Sequence, residues 1–155
     1  MKFDHLVPVN DPSSPPIAPL SAGQVWRGLV LRAENPLLFV HALDGFTLLD
    51  RHGDVLYREL RFGKLAIRDR VTFQAPTRVR HDIEASAEVP GATLIISIEQ
   101  ASDTPLFVRF DYLTRPVAGA PPVEEIYQGF VKKAYVEADV DSVRMIRQLA
   151  AQGRL

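Results

Sequence analysis

The residue of this sequence with the clearest chemical potential is Asp69, which stands where an apolar side chain is expected. Residues two apart in a strand point to the same side of a sheet. Asp69 therefore shares its side with Leu65, Ile67, Val71 and Phe73. An unpaired buried carboxylate is costly, so Asp69 must be paired or have a raised pKa. In a cavity it could act as a general acid or base. The alternatives are a structural ion pair with an arginine and a locally bulged strand.

His81 is placed in the same way, in phase with Val79, Ile83 and Ala85. A histidine in a cavity could orient a ligand or shuttle a proton. The alternative is a hydrogen-bonded histidine of the core. If Asp69 and His81 lie on neighbouring strands, they could bond to each other and form an acid/base pair.

Apolar and aromatic side chains form the second group of candidates, for contact with a ligand. The stretch Arg58–Arg61 mixes charges near a turn, and its simplest interpretation puts Leu60 and Phe62 inward and ion pairs outward. A functional role for Glu59 is the alternative. Tyr112 and Tyr127 could offer a hydroxyl to a ligand. The full set of candidate lining residues is Trp26, Leu60, Phe62, Ile67, Asp69, His81, Phe110, Tyr112, Tyr127, Phe130 and Tyr135.

Composition excludes several other kinds of chemistry. The 155 residues predict one domain spanning the whole chain, and a net charge of −1 gives no case for nucleic acid. The chain has no cysteine, so it has no disulfide or thiol nucleophile. The four histidines are scattered, which argues against a metal site, and nucleotide-binding and serine-hydrolase motifs are missing. No cofactor is expected. Without a signal peptide or an apolar run long enough to span a bilayer, a soluble cytoplasmic protein is predicted.

The elements that position these residues follow from periodicity. Alternation predicts a strand over residues 2–9, followed by a proline-rich connector that could alternatively be a ligand for a partner domain. Ser21 and Gln24 have capping-box spacing, which predicts a helix that stops before Asn35-Pro36, and a short second helix over 36–41. Six further strands with short turns predict an antiparallel meander. They cover residues 46–50, 55–62, 65–73, 78–87, 93–99 and 106–113.

The last stretch, from Pro121 to Leu155, predicts a helix of about 30 residues. Its apolar residues recur at three- and four-residue steps, and its first turn carries Glu124 and Glu125. A meander with one apolar face must bury that face, and this helix is the large surface available to cover it. The fold class is therefore α+β, with a curved seven-stranded sheet around the long helix and two short helices after the first strand.

Three stretches resemble a known family. They are Trp26-Arg27-Gly28-Leu29 with Arg32-Ala33-Glu34-Asn35-Pro36, then Arg58-Glu59-Leu60-Arg61-Phe62-Gly63, and Tyr135-Val136-Glu137-Ala138-Asp139 with Met145-Ile146. The chain resembles the helix-grip fold of the START-like (SRPBCC, Bet v 1-like) superfamily, and within it the family related to an acetylaranotin-biosynthesis protein. The resemblance implies a cavity for a hydrophobic or amphipathic molecule and carries no catalytic motif.

Three hypotheses about function follow. The first is a protein that binds a hydrophobic or aromatic small molecule beneath the C-terminal helix. The second is an enzyme similar to polyketide cyclases or dehydratases that uses Asp69 or His81. The third is a co-chaperone or assembly factor, which predicts an exposed apolar patch and little cavity. The sequence is also compatible with a homodimer.

Overall fold

A computed structural model of the protein describes residues 1–10, 18–100, 106–121 and 123–155. Its seven strands form one antiparallel sheet with the order β1-β7-β6-β5-β4-β3-β2. The first strand is therefore an edge strand and pairs with the last strand of the chain. The strands are β1 Lys2–Pro8, β2 Gly45–His52, β3 Val55–Phe62, β4 Leu65–Gln74, β5 Arg78–Ile83, β6 Ala92–Glu99 and β7 Phe107–Thr114. The helices are α1 Ala22–Glu34, a 3-10 helix Pro36–Leu38 and α2 Glu125–Ala151.

This architecture confirms the predicted α+β helix-grip fold with its seven-stranded sheet and long C-terminal helix. The second short helix is one 3-10 turn rather than a helix over 36–41. Strand β5 ends at Ile83, short of the predicted residue 87. Helix α2 has 27 residues and is followed by Gly153, whose φ of +69° favours glycine. Most of the predicted proline-rich connector lies outside the described residues, as does the short turn that the sequence predicts at residues 102–104, between the last two strands.

The pairing register shows which side chains share the inner face of the sheet. Directly paired residues of antiparallel strands point to the same side. One inner row runs across six strands and includes His81 and Tyr112; it consists of Leu56, Val71, His81, Leu94, Tyr112 and Phe3. In the next row Arg58 pairs with Asp69 and Asp69 pairs with Ile83. The polar candidates are therefore neighbours on one concave apolar surface.

Helix α1 covers one end of that surface. It begins at the predicted capping box, in which Ser21 accepts from the backbone of Gln24 and the Gln24 side chain accepts from the backbone of Ser21. Val25, Gly28 and Leu29 are buried on its inner stripe. A Cβ atom at Gly28 would lie 2.6 Å from Ile146, so the two helices touch where α1 has no side chain. This contact fixes the C-terminal half of α2 against α1.

The two halves of α2 differ in their packing. Val143, Ile146 and Leu149 are buried in the core that α2 shares with the sheet and α1. In the first turns Ile126 is 74% exposed and Phe130 68% exposed. The long helix is therefore anchored by its second half, and its first half leaves the adjacent part of the inner face incompletely covered.

Candidate functional site

A buried ion pair lies at the centre of the inner face. The Arg58 guanidinium donates from Nε to Asp69 Oδ1 at 2.9 Å and from Nη2 to Asp69 Oδ2 at 2.5 Å. Its Nη1 donates to the carbonyl oxygen of Ala33 on α1 at 2.8 Å. Both side chains are almost completely buried. Arg58 thus joins strands β3 and β4 to the end of α1, through two parallel bonds to one carboxylate.

This pairing decides the chemistry of Asp69. Burial alone would raise the pKa of Asp69, but the hydrogen bonds and the charge of Arg58 lower it to about 2. A carboxylate with so low a pKa and both oxygens engaged is a poor proton carrier at neutral pH. The structure therefore favours the ion-pair interpretation of Asp69 over the general acid or base.

His81 completes this cluster without bonding to Asp69. Its Nδ1 lies 3.9 Å from Asp69 Oδ2, which is too long for a hydrogen bond, and 3.4 Å from Arg58 Nη2. Burial, aided by the charges of Arg58 and Arg32, lowers the pKa of His81 to about 4, although Asp69 opposes the shift. The ring is therefore neutral at pH 7. With Nδ1 accepting from Arg58, Nε2 carries the proton, and that atom is buried without a partner among the described residues.

A second buried carboxyl group, Asp139, is held by α2 over the edge of the sheet. The Tyr112 hydroxyl lies 2.7 Å from Oδ1 and 2.8 Å from Oδ2, and it donates to this carboxylate. His5 Nε2 lies 2.6 Å from Oδ2. Asp139 is only 1% exposed. This contact ties α2 to strands β1 and β7.

Burial raises the pKa of Asp139, and the bonds from Tyr112 and His5 with the charge of Arg32 only partly oppose that rise. Burial and the nearby Asp139 also raise the pKa of Tyr112, so its hydroxyl keeps its proton. The Tyr112 ring stacks on Tyr135 with centroids 4.2 Å apart. The arrangement is a carboxyl group with increased proton affinity, bonded to the Tyr112 hydroxyl and the His5 ring beside a flat aromatic wall.

Apart from Asp69, His81 and Tyr112, the predicted lining residues that lie inside the fold form three groups. Phe110 is fully buried, and Trp26 packs against the core from α1. Tyr135 is half-buried against Tyr112. A third group lies on the inner face of β3 and β4, and its members, Leu60, Phe62 and Ile67, are only half-buried. Together with the half-buried Ile83 on β5, which was not predicted as a lining residue, they form an apolar mouth. Whether any of these residues binds a ligand stays a prediction.

Two predicted lining residues are not inside. Tyr127 is 61% exposed and Phe130 is 68% exposed. Phe130 precedes Asp139 by nine residues, about two and a half turns, and therefore lies on the opposite side of α2. The apolar spacing along the helix is broad enough to fit more than one face, and the buried stripe runs through Tyr135, Asp139, Ser142 and Ile146 instead.

Four residues of the buried polar clusters were not predicted from the sequence as site residues. Arg58 shares parity with Leu60 and Phe62, and that signal could have placed it inside. Arg32 follows Val25 and Leu29 at helical spacing, so it too belongs to an inner stripe. His5 alternates in phase with Phe3 and Val7. Asp139 is separated from His5 by 134 positions, and no local pattern connects them.

The described part of the chain offers little support for other kinds of site. A cleft of about 250 Å³ lies at the ends of β4 and β5, lined by Ala66, Arg68, Glu84, Ala85 and Ser86. Ala66 and Arg68 have the parity opposite to Asp69, so this cleft is on the outer face. Within the described ranges, no group of three or more metal-ligating side chains is close enough to hold an ion. None of the helices described is long and apolar enough to cross a membrane.

Comparison with solved structures defines the class of fold. The aromatase/cyclase Zhui from Streptomyces sp. R1128 superposes with a TM-score of 0.66 at 15% identity, covering 97% of this chain and 95% of that one. Ara h 8.0201 gives a TM-score of 0.64 at 11% identity, covering 94% and 97%. The di-domain ARO/CYC StfQ from the steffimycin biosynthetic pathway gives 0.68 at 9% identity, covering 97% of this chain and 51% of that one. The fold is the START-like helix grip.

A family model places the chain more narrowly. Residues 4–153 match the model of acetylaranotin biosynthesis cluster protein L, AtaL. The chain therefore belongs to the AtaL family, as the resemblance of its three stretches implied. A search of curated protein sequences finds no match.

Proposed function

We propose that this protein binds a hydrophobic or aromatic small molecule between the inner face of its sheet and α2. The observation that carries the proposal is the apolar mouth, four large apolar side chains on the inner face of the sheet that are only half-buried. Exposed apolar surface is unfavourable by about 25 cal/mol per Å², so covering it with an apolar ligand provides a driving force for binding. The likeness in fold to Ara h 8.0201 and to two aromatase/cyclases supports a binding or cyclase role at the level of the fold alone.

The polar clusters define the limits of this binding space. Arg58 and Asp69 neutralise each other and fix the sheet beneath it, while Tyr112 and Tyr135 offer a stacked aromatic wall. A flat apolar molecule could lie against that wall and reach out through the mouth. Affinity would come mainly from apolar burial, and orientation from the few inward polar groups.

The test uses N-phenyl-1-naphthylamine, a neutral apolar probe whose fluorescence rises on burial. We expect saturable binding, weakened about tenfold or more by Ile67→Glu because a charge in the mouth must be desolvated. The matched control is Leu113→Glu, which changes a 46% exposed residue on the outer face and should leave binding unchanged. Absence of probe binding, or equal weakening by the two variants, would contradict the proposal. Native mass spectrometry of freshly purified protein would identify the class of any molecule that co-purifies.

A second candidate function is an enzyme that transfers a proton through Asp139. The observation that favours it is the raised pKa of this buried carboxyl group, next to the Tyr112 hydroxyl. Such a group could give or take a proton at a bound substrate. The substrate class would be polyketide-like, as in the cyclase hypothesis. Turnover abolished in Asp139→Asn while N-phenyl-1-naphthylamine still binds would distinguish this function from simple binding.

The third hypothesis, an assembly factor or co-chaperone, also has one observation in its favour. The start of α2 and the segment before it expose apolar side chains, namely Val117, Val123, Ile126, Tyr127 and Phe130. An exposed apolar patch is typical of a protein-binding surface. If the patch rather than the inner face carries the function, Phe130→Ser should abolish partner binding and leave N-phenyl-1-naphthylamine binding intact.

A further inference from the structure

Arg32 is a cation inside the fold that lacks a carboxylate partner. It lies on the inner stripe of α1, seven residues after Val25, and its Nε donates to Ser142 Oγ on α2 at 3.3 Å. No carboxylate oxygen among the described residues lies within 4 Å of its guanidinium, and its two terminal nitrogens have no hydrogen-bond partner there. Arg58, by contrast, has a carboxylate partner in Asp69, and both of its terminal nitrogens are hydrogen-bonded. Arg32 therefore differs from a structural arginine.

Arg32 interacts electrostatically with both polar clusters. It is influenced by the charges of Tyr112 and Asp139 in one cluster and of Arg58 and Asp69 in the other. The Asp139 carboxylate is already engaged by Tyr112 and His5, and Asp69 by Arg58. His81 lies within electrostatic reach of Arg32 as well, with a buried Nε2 proton that has no acceptor in the described chain. The terminal nitrogens of Arg32 and the Nε2 atom of His81 are thus donors without an acceptor among the described residues.

The Arg32 side chain is largely enclosed by protein but can still be reached. Burial lowers the pKa of its guanidinium, so protein atoms surround it on most sides. Part of its surface nevertheless remains accessible. A desolvated cation without a counter-ion is unfavourable, and an anionic ligand would relieve that cost with charge-assisted bonds.

We infer that Arg32 receives the acidic group of an amphipathic ligand, a carboxylate attached to an apolar or aromatic skeleton. The carboxylate accepts from the terminal nitrogens of Arg32. The skeleton extends towards Leu60, Ile67 and Ile83 in the apolar mouth. This inference rests on the proposed binding function and names its ligand class.

The experiment compares 2-naphthoate with its neutral analogue 2-naphthamide at pH 7, by displacement of N-phenyl-1-naphthylamine. We expect the wild type to prefer the acid about tenfold or more, since bonds between charged groups are the strong ones. Arg32→Met should bind both compounds equally, and Arg32→Lys should keep part of the preference. The matched control is Arg27→Met on the exposed side of α1, which should retain the full preference.

Thermal denaturation of the same variants separates a binding role from a structural one. Removal of an uncompensated buried cation should leave the Tm of Arg32→Met equal to or above that of the wild type. A Tm well below the wild type, or failure to fold, would show that Arg32 is structural and would overturn the inference. A wild type that binds both compounds equally would overturn it too while leaving the proposed function intact. A wild type that binds neither the compounds nor N-phenyl-1-naphthylamine would overturn both.

Discussion

Asp69 on the inner face of the sheet and Asp139 on α2 are two buried aspartates, and their carboxyl groups have opposite properties. Asp69 accepts two hydrogen bonds from the Arg58 guanidinium, and its pKa is lowered to about 2. Asp139 is held by a tyrosine hydroxyl and a histidine ring, and burial raises its pKa. Desolvation acts in the same direction on both, so the partner decides the result. Burial of an acid therefore does not identify a catalytic group until its partner is known.

The largest effect that tests this comparison is expected from Asp69→Asn. The change leaves the Arg58 cation buried without its carboxylate, which should cost about 3–5 kcal/mol of unfolding free energy in urea denaturation at pH 7. Asp82→Asn is the control, because its pair with Arg80 is partly exposed and should cost about 1 kcal/mol or less. The double variant Arg58→Met/Asp69→Leu should recover most of the loss. Equal losses of unfolding free energy in Asp69→Asn and Asp82→Asn would show that the buried pair contributes no more to stability than the partly exposed one.

The pH dependence of stability at His81 provides a second test of the Arg58–Asp69 cluster. Its pKa is about 4 in the folded protein against an ordinary 6.5, so the folded state binds fewer protons. Stability from the neutral ring is present above pH 6.5 and is lost as pH falls towards 4, by at most about 3 kcal/mol at 1.36 kcal/mol per pKa unit. Urea denaturation across this range should show a smaller loss in His81→Leu than in the wild type. Parallel curves would contradict the lowered pKa.

The anchoring of Asp139 depends on the α1–α2 contact, which Gly28→Ala tests. The new Cβ would lie 2.6 Å from Ile146, so the helices must separate, at a cost of about 1–3 kcal/mol. Gly129 on the first half of α2 has no atom within 4 Å of a built Cβ. Gly129→Ala should therefore stabilise by about 0.5–1 kcal/mol, because alanine is the better helix former. Equal changes in Tm for Gly28→Ala and Gly129→Ala would contradict the conclusion that the second half of α2 is tightly packed and the first half is not.

The smallest effect is expected from Asp139→Asn, and its sign matters more than its size. The raised pKa means that ionisation of Asp139 destabilises the folded state as pH rises above its ordinary value of 3.8. Relative to the wild type, the variant should become more stable with rising pH, and this pH dependence is the quantity to measure. Asp69→Asn should show the opposite trend, since its deficit grows as pH rises from 2. If urea denaturation showed pH trends of the same sign for Asp139→Asn and Asp69→Asn, the opposite pKa shifts of the two aspartates would be contradicted.

The order and type of the elements were determined by the sequence itself. Two-residue alternation predicted the strands, the Ser21 and Gln24 spacing predicted the start of α1, and three- and four-residue steps predicted α2. These signals are local, because a strand or helix exposes its buried face as a fixed period along the chain. The three family stretches added the superfamily, and the strand parity placed Asp69 and His81 on the inner face.

Only the tertiary structure decided which groups meet and what their proton affinities become. Arg58 reaches Asp69 across a strand pair and Ala33 on a helix, and Asp139 meets His5 from the other end of the chain. Tyr127 and Phe130 fit the apolar spacing of α2, but the packing of Ile146 against Gly28 sets a different rotation of the helix. Partners, desolvation and helix rotation all depend on contacts between distant residues, which periodicity along a single chain does not encode.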